Sequence, residues 1–161
     1  MKTTFIASAL FLATFASLPS QASPLSDLIE THKLGWLLGS WATADGKVKL
    51  VYEYRLDNNI IGVKFVAGGR EAEGMIALKP GTQESLYVAV DSAGSVSRGT
   101  WKEHEGNPLL KSTITGREGE MKIASEHINV DADTMRVKVY KQNDSTDPGD
   151  MIAEVELKRG K

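Results

Sequence analysis

Three histidines and no cysteine leave this chain few routes to chemistry. Without a thiol there is no thiolate nucleophile, no iron–sulfur cluster and no zinc–thiolate centre. His32, His104 and His127 lie far apart, and none has a second ligand at i+4 as a helical metal pair needs. His104 falls in Glu103-His104-Glu105-Gly106-Asn107, a turn in which water is expected to solvate it. No Gly-x-Ser-x-Gly elbow or phosphate-cradling loop occurs, and Ser95-Val96-Ser97-Arg98-Gly99 reads as strand. Asp144, Asp147 and Asp150 gather in one loop but lack the Gly and Glu positions of a dedicated calcium loop. The expectation is therefore a binding protein, not an enzyme, with no cofactor and no metal site.

The elements that must position such a site are strands. Val48, Leu50, Tyr52, Tyr54 and Leu56 alternate with Lys47, Lys49, Val51, Glu53 and Arg55, the period of a half-buried strand. Asp57-Asn58-Asn59, Gly68-Gly69, Pro80-Gly81, Asp91-Ser92-Ala93-Gly94, Gly106-Asn107 and Gly116 to Gly119 punctuate further alternating runs. Asp131 and Asp133 also read as hairpin-turn residues. The pattern predicts an all-β domain of about ten antiparallel strands, an up-and-down barrel with a short N-terminal helix. No later helix is available to cover a sheet face. Two packed sheets are the alternative, since turn spacing alone does not separate them.

That helix starts near Pro24, with Leu25, Leu28, Ile29, Leu34 and Trp36 partly spaced for one face and Gly39 as its stop. It is too short to be stable alone and is expected to plug one end of the barrel.

A barrel in water turns the more apolar side of each strand inward. Glu120, Lys122 and Glu126 then face out, leaving Met121, Ile123, Ser125 and His127 inside. By the same test Ser97, Gly99 and Trp101 face in, as do Leu110, Ser112 and Ile114, then Met135, Val137 and Val139. Met151, Ala153, Val155, Leu157 and Arg159 share the inner face of the last strand. Leu86 to Val90 is apolar on both faces, so alternation does not orient it. No inward Asp or Glu is found, hence no carboxylate pair for hydrolysis.

An aliphatic wall with a few convergent polar groups is the usual make-up of a small-molecule site. Tyr52, Tyr54, Phe65 and Trp101 would give it an aromatic lining, and Ser97, Ser112, Ser125 and His127 its orienting polar contacts. The expected guest is a small hydrophobic or amphipathic molecule. The competing readings are a filled interior that recognises a protein through its loops, and haem held by His127. Arg159 reaches the inner face at the chain end, where its guanidinium could cover the Trp41 indole as structural closure.

Lys2, the apolar run from Thr3 to Leu18 and Ser20-Gln21-Ala22 have the form of a secretory signal peptide over 1–22. The remaining 23–161 suits one domain, periplasmic or secreted, folding without a disulfide. The formal net charge is −2. No basic block stands out, which argues against nucleic acid or membrane as partner, and a monomer is expected.

Gly39-Ser40-Trp41 after a short helix, with a late Arg in the last strand, resembles the calycin barrels: lipocalins, fatty-acid-binding proteins and bacterial relatives. Leu34 to Trp41 looks similar to the entry segment of nitrobindin-type barrels and of bacterial lipocalin-like domains. The resemblance implies a closed barrel around a hydrophobic ligand or haem. The haem-ligating His that nitrobindin-type barrels carry near the C-terminus has no counterpart in Met151 to Lys161. The interior Arg and Tyr of fatty-acid-binding barrels have at most Tyr52 and Tyr54 to match them.

Overall fold

The computed structural model describes residues 25–143 and 147–160. The signal peptide expected over 1–22 lies outside the described residues, as does Asp144. A short helix, α1 (Leu25–Thr31), and a single 3-10 turn (Gly35–Leu37) precede the strands. These are β1 (Gly39–Ala42), β2 (Lys49–Arg55), β3 (Ile60–Ala67), β4 (Arg70–Leu78) and β5 (Ser85–Asp91). There follow β6 (Val96–His104), β7 (Asn107–Gly116), β8 (Gly119–Asp131), β9 (Thr134–Lys141) and β10 (Asp150–Arg159). Each strand pairs antiparallel with the next, and β10 returns to β1, so the sheet is one closed up-and-down barrel. The alternative of two packed sheets is thereby discarded.

Closure needs local bends, and two inner-face glycines supply them. A Cβ on Gly74 would run into Val88 O and Ala89, and one on Gly99 into Lys111 O and Ser112. Each glycine thus lets its strand press against the next where a side chain would hold them apart.

Helix α1 ends earlier than expected. Lys33 takes the left-handed conformation (φ 53°), Leu34 N–H donates to Ile29 O (2.8 Å) and Lys33 N–H to Glu30 O (3.0 Å). This is a Schellman stop with Lys where Gly is usual. Gly39, expected to end the helix, instead opens β1 at φ 116°.

Inner and outer faces follow the alternation, with three corrections. Leu56 sits in the β2–β3 turn at φ 49° and is 72% exposed. A bulge between Met151 and Ala153 turns Met151 away from the lumen, opposite Tyr140. Two acids do lie on the inner register, at opposite rims: Glu103, opposite Pro108 and exposed, and Asp91, whose carboxylate accepts from the N–H groups of Ala93 and Ser95. In β5 the register now orients the ambiguous run: Ser85 and Ala89 are buried inside, while Leu86 and Val90 are exposed outside.

The two ends of the barrel differ. At the end carrying the β2–β3, β4–β5, β6–β7 and β8–β9 turns, Leu25, Ile29 and Leu37 bury themselves against Trp41, Ile61, Ile76, Met135 and Leu157. The other end, which we call the mouth, has no such segment among the described residues.

Candidate functional site

Midway down the lumen three side chains from three strands meet. Tyr52 on β2, Trp101 on β6 and His127 on β8 each stand on an inner-face position of an alternating strand. The Tyr52 hydroxyl lies 3.0 Å from His127 Nε2, and His127 Nδ1 lies 3.2 Å from Ser125 O. A carbonyl oxygen only accepts, so Nδ1 carries the proton and Nε2 accepts from the Tyr52 O–H. Both groups are buried, at 4% and 2% exposure. Burial lowers the His127 pKa to about 4, against weaker opposing bonds to the Ser125 and Pro108 backbone. Burial also raises the Tyr52 pKa, with Tyr87 adding to the effect. The pair is therefore neutral at ordinary pH, a polar strut across the lumen with no charge to offer.

Trp101 completes the layer. Its ring centre is 4.9 Å from that of His127 and 6.2 Å from that of Tyr52, the latter edge-on. Its backbone N–H donates to Ser85 Oγ (2.8 Å), while its indole Nε1 is buried without an acceptor among the described residues. An unmet donor of this kind costs about 1–3 kcal/mol.

The other sequence-predicted residues spread along the lumen. Ser112 is buried between Gly99 and Ile123, and Ser125 is half-buried between Leu110 and Val139. Ser97 stands nearer the mouth, between Ala89 and Ile114. Phe65 is on the inner register opposite Leu50 and Ala72, yet 41% exposed, because it lies at the mouth. Tyr54 is separated from this group: it pairs with Ile61 at the helix-covered end, where Glu30 and partial burial raise its pKa, burial being the larger cause. It belongs to the closed end and not to the mouth.

The closure anticipated at Trp41 is present. Arg159 Cζ lies 4.2 Å over the indole, while Arg159 Nη1 donates to Leu38 O (2.8 Å), Nη2 to Trp36 O (3.0 Å) and Nε to Ala132 O (3.0 Å). Trp41 Nε1 donates to Leu37 O (2.9 Å). Gly39 suits this contact: at φ 116° a side chain would be strained, and its Cβ would stand 2.9 Å from Arg159 Nη1. One guanidinium thus ties the last strand to the segment that plugs the barrel.

A second polar cluster was not anticipated. Glu126, rightly placed on the outer face, is only 3% exposed. It accepts from Asn107 Nδ2 (3.2 Å) and Tyr140 Oη (3.0 Å), with His104 Nδ1 at 3.1 Å. Burial works against its charge, but these bonds outweigh it and the pKa is lowered. His104, expected in water, is instead held by this carboxylate. Asp147 pairs with Lys111, and Asp150 accepts from Asn143. No metal-type cluster occurs among the described residues.

Haem does not fit His127. Its Nε2 is already taken by Tyr52 and the ring is closed in by Trp101, so iron ligation would require this layer to come apart. Compared with known protein families and with curated proteins, the chain matches none.

Proposed function

We propose that this is an exported, monomeric, non-enzymatic barrel that binds a small apolar or amphipathic molecule in the mouth half of its lumen. One observation carries the reading. Phe65 and Met121, both on the inner register, are 41% and 46% exposed, so apolar side chains of that register meet water at the mouth. A guest that covers such surface gains about 25 cal/mol per Å². The wall beneath them is made of small groups, Gly99, Ser97, Ser112 and Ser125, and the Tyr52–Trp101–His127 layer forms the floor. Lys141, on the inner register opposite Ile123 and exposed, would meet the head of an amphipathic guest at the rim.

A second reading has its own support. Tyr52 reaches His127 across the lumen, and Leu50, Ile61 and Val137 are buried around them, so half the interior is filled. If the mouth half binds nothing, the barrel is an interaction or structural module acting through its loops. Titration of the folded protein with dodecanoate and with a hydrophobic dye, followed by tryptophan fluorescence, separates the two. Saturable binding that Phe65→Ala weakens supports the first. No binding by a folded sample supports the second. Mature protein recovered from culture should begin at Ser23, and retention of 1–22 would contradict export.

A further inference from the structure

At the opposite end from the mouth, α1 leaves a gap over the barrel. A cavity of about 270 Å³ lies between the helix and the β4–β5 and β6–β7 turns. Leu25, Leu28 and Ile29 of α1 form its roof, and Ile61, Ile76 and Trp101 form its floor. We infer that this cavity is a second binding site, for a compact uncharged apolar molecule held under α1.

Size and charge choose the occupant. An apolar cavity of about 150 Å³ holds benzene, so one of 270 Å³ takes a molecule of about ten non-hydrogen atoms. It would cover only part of a long acyl chain. No one charge dominates its edge: Lys102 and Glu103 differ in sign, Glu84 is paired outward with Lys79 at 2.9 Å, and His32 also lies there. A carboxylate head would meet Glu103 and an ammonium head Lys102, so a neutral guest is favoured. A charge carried into the apolar part would also lose its hydration.

The roof is loosely fastened. The helix has seven residues, of which Leu25 and Ile29 are buried. Among the described residues, none of its side chains is hydrogen-bonded or ion-paired to the barrel. The Arg159 bonds begin only at Trp36 and Leu38, beyond the left-handed Lys33. Helix α1 can therefore yield to a guest while the closure behind it stays in place, and the site is distinct from the mouth.

The test uses the mature protein with labelled Ile, Leu and Val methyls, titrated with indane and with indane carboxylate. Indane should shift the methyls of Leu25, Leu28, Ile29, Ile61 and Ile76 saturably and leave Ile114, Ile123 and Val139 unmoved. The carboxylate should bind at least about tenfold more weakly. Leu28→Phe, which fills the cavity from the roof, should cut indane affinity about tenfold while the rest of the spectrum keeps its folded dispersion. Shifts confined to Ile114, Ile123 and Val139, equal affinity for the carboxylate, or no saturable shift would each overturn the inference. Dodecanoate binding at the mouth can succeed or fail independently of all of these, so the two sites are judged apart.

Discussion

The closed end and the mouth of this barrel are built from the same alternating strands, yet one is covered and the other open. At the closed end Trp41, Met135 and Leu157 are 1%, 0% and 1% exposed. At the mouth Phe65 and Met121, which point inward by the same alternation, are 41% and 46% exposed. What separates them is residues 25–38, which cover one opening, with Arg159 holding the Trp36–Leu38 part of the cover in place. Alternation decides which side of the wall a residue faces. A covering segment decides whether that side is dry.

The largest effects should therefore come from the closed end. Trp41→Ala empties a fully buried indole site and removes the surface under Arg159, and should cost about 3–5 kcal/mol in urea unfolding. Arg159→Ala leaves the Trp36 and Leu38 carbonyls without their donor and should cost about 2–3 kcal/mol. A loss below about 1 kcal/mol for either would show that the ends do not differ in the way described.

Of similar size to the Arg159 effect is a pH effect on the layer that divides the two halves. His127 has a folded pKa of about 4 against 6.5 for the free side chain. On acidification the unfolded chain takes up this proton first, so stability is complete above pH 6.5 and declines as pH falls toward 4. The whole loss is about 3 kcal/mol. His127→Gln should flatten that window. Glu126, its neighbour on the outside of the wall, acts lower down. Its pKa is lowered from 4.5, so its contribution is present above 4.5 and is lost as pH falls through the folded value. Glu126→Gln removes a charge that weakly raises the His127 pKa, so it should keep the His127 decline and, if anything, deepen it. If it abolishes the decline above pH 5 instead, the two sides of the wall are coupled and the division fails.

Much of this was legible in the chain because it depends on period and turn residues. Leu110, Ile123, Val137 and Leu157 fall inside as alternation demands, and the Trp41–Arg159 closure follows from two inward positions at the ends of neighbouring strands. What was not legible depends on a third dimension. Glu126 looks like any outward acid until Asn107, Tyr140 and His104 fold over it from neighbouring strands and turns. Phe65 has an inward parity that says nothing of its height in the barrel. Met151 is displaced by a bulge without a glycine to mark it. Lys33 stops α1 in a conformation usually signalled by Gly or Asn. The polar site is similar: Tyr52, Trp101 and His127 could be placed on one inner surface, but not Tyr54 at a different level from them.

The smallest stability effect should come from the mouth, and its smallness is what makes it informative. Phe65 is already partly hydrated, so Phe65→Ser removes little buried area and should change unfolding stability by at most about 1 kcal/mol. If Phe65 is part of a binding wall, the same change should weaken dodecanoate several-fold, since the guest loses an aromatic face but gains no clash. Stability and binding then respond in opposite proportion to what Trp41→Ala produces, where the stability loss is the dominant effect. A large stability loss for Phe65→Ser with unchanged binding would mean that the mouth is packed like the closed end, leaving no wet wall for a guest to cover.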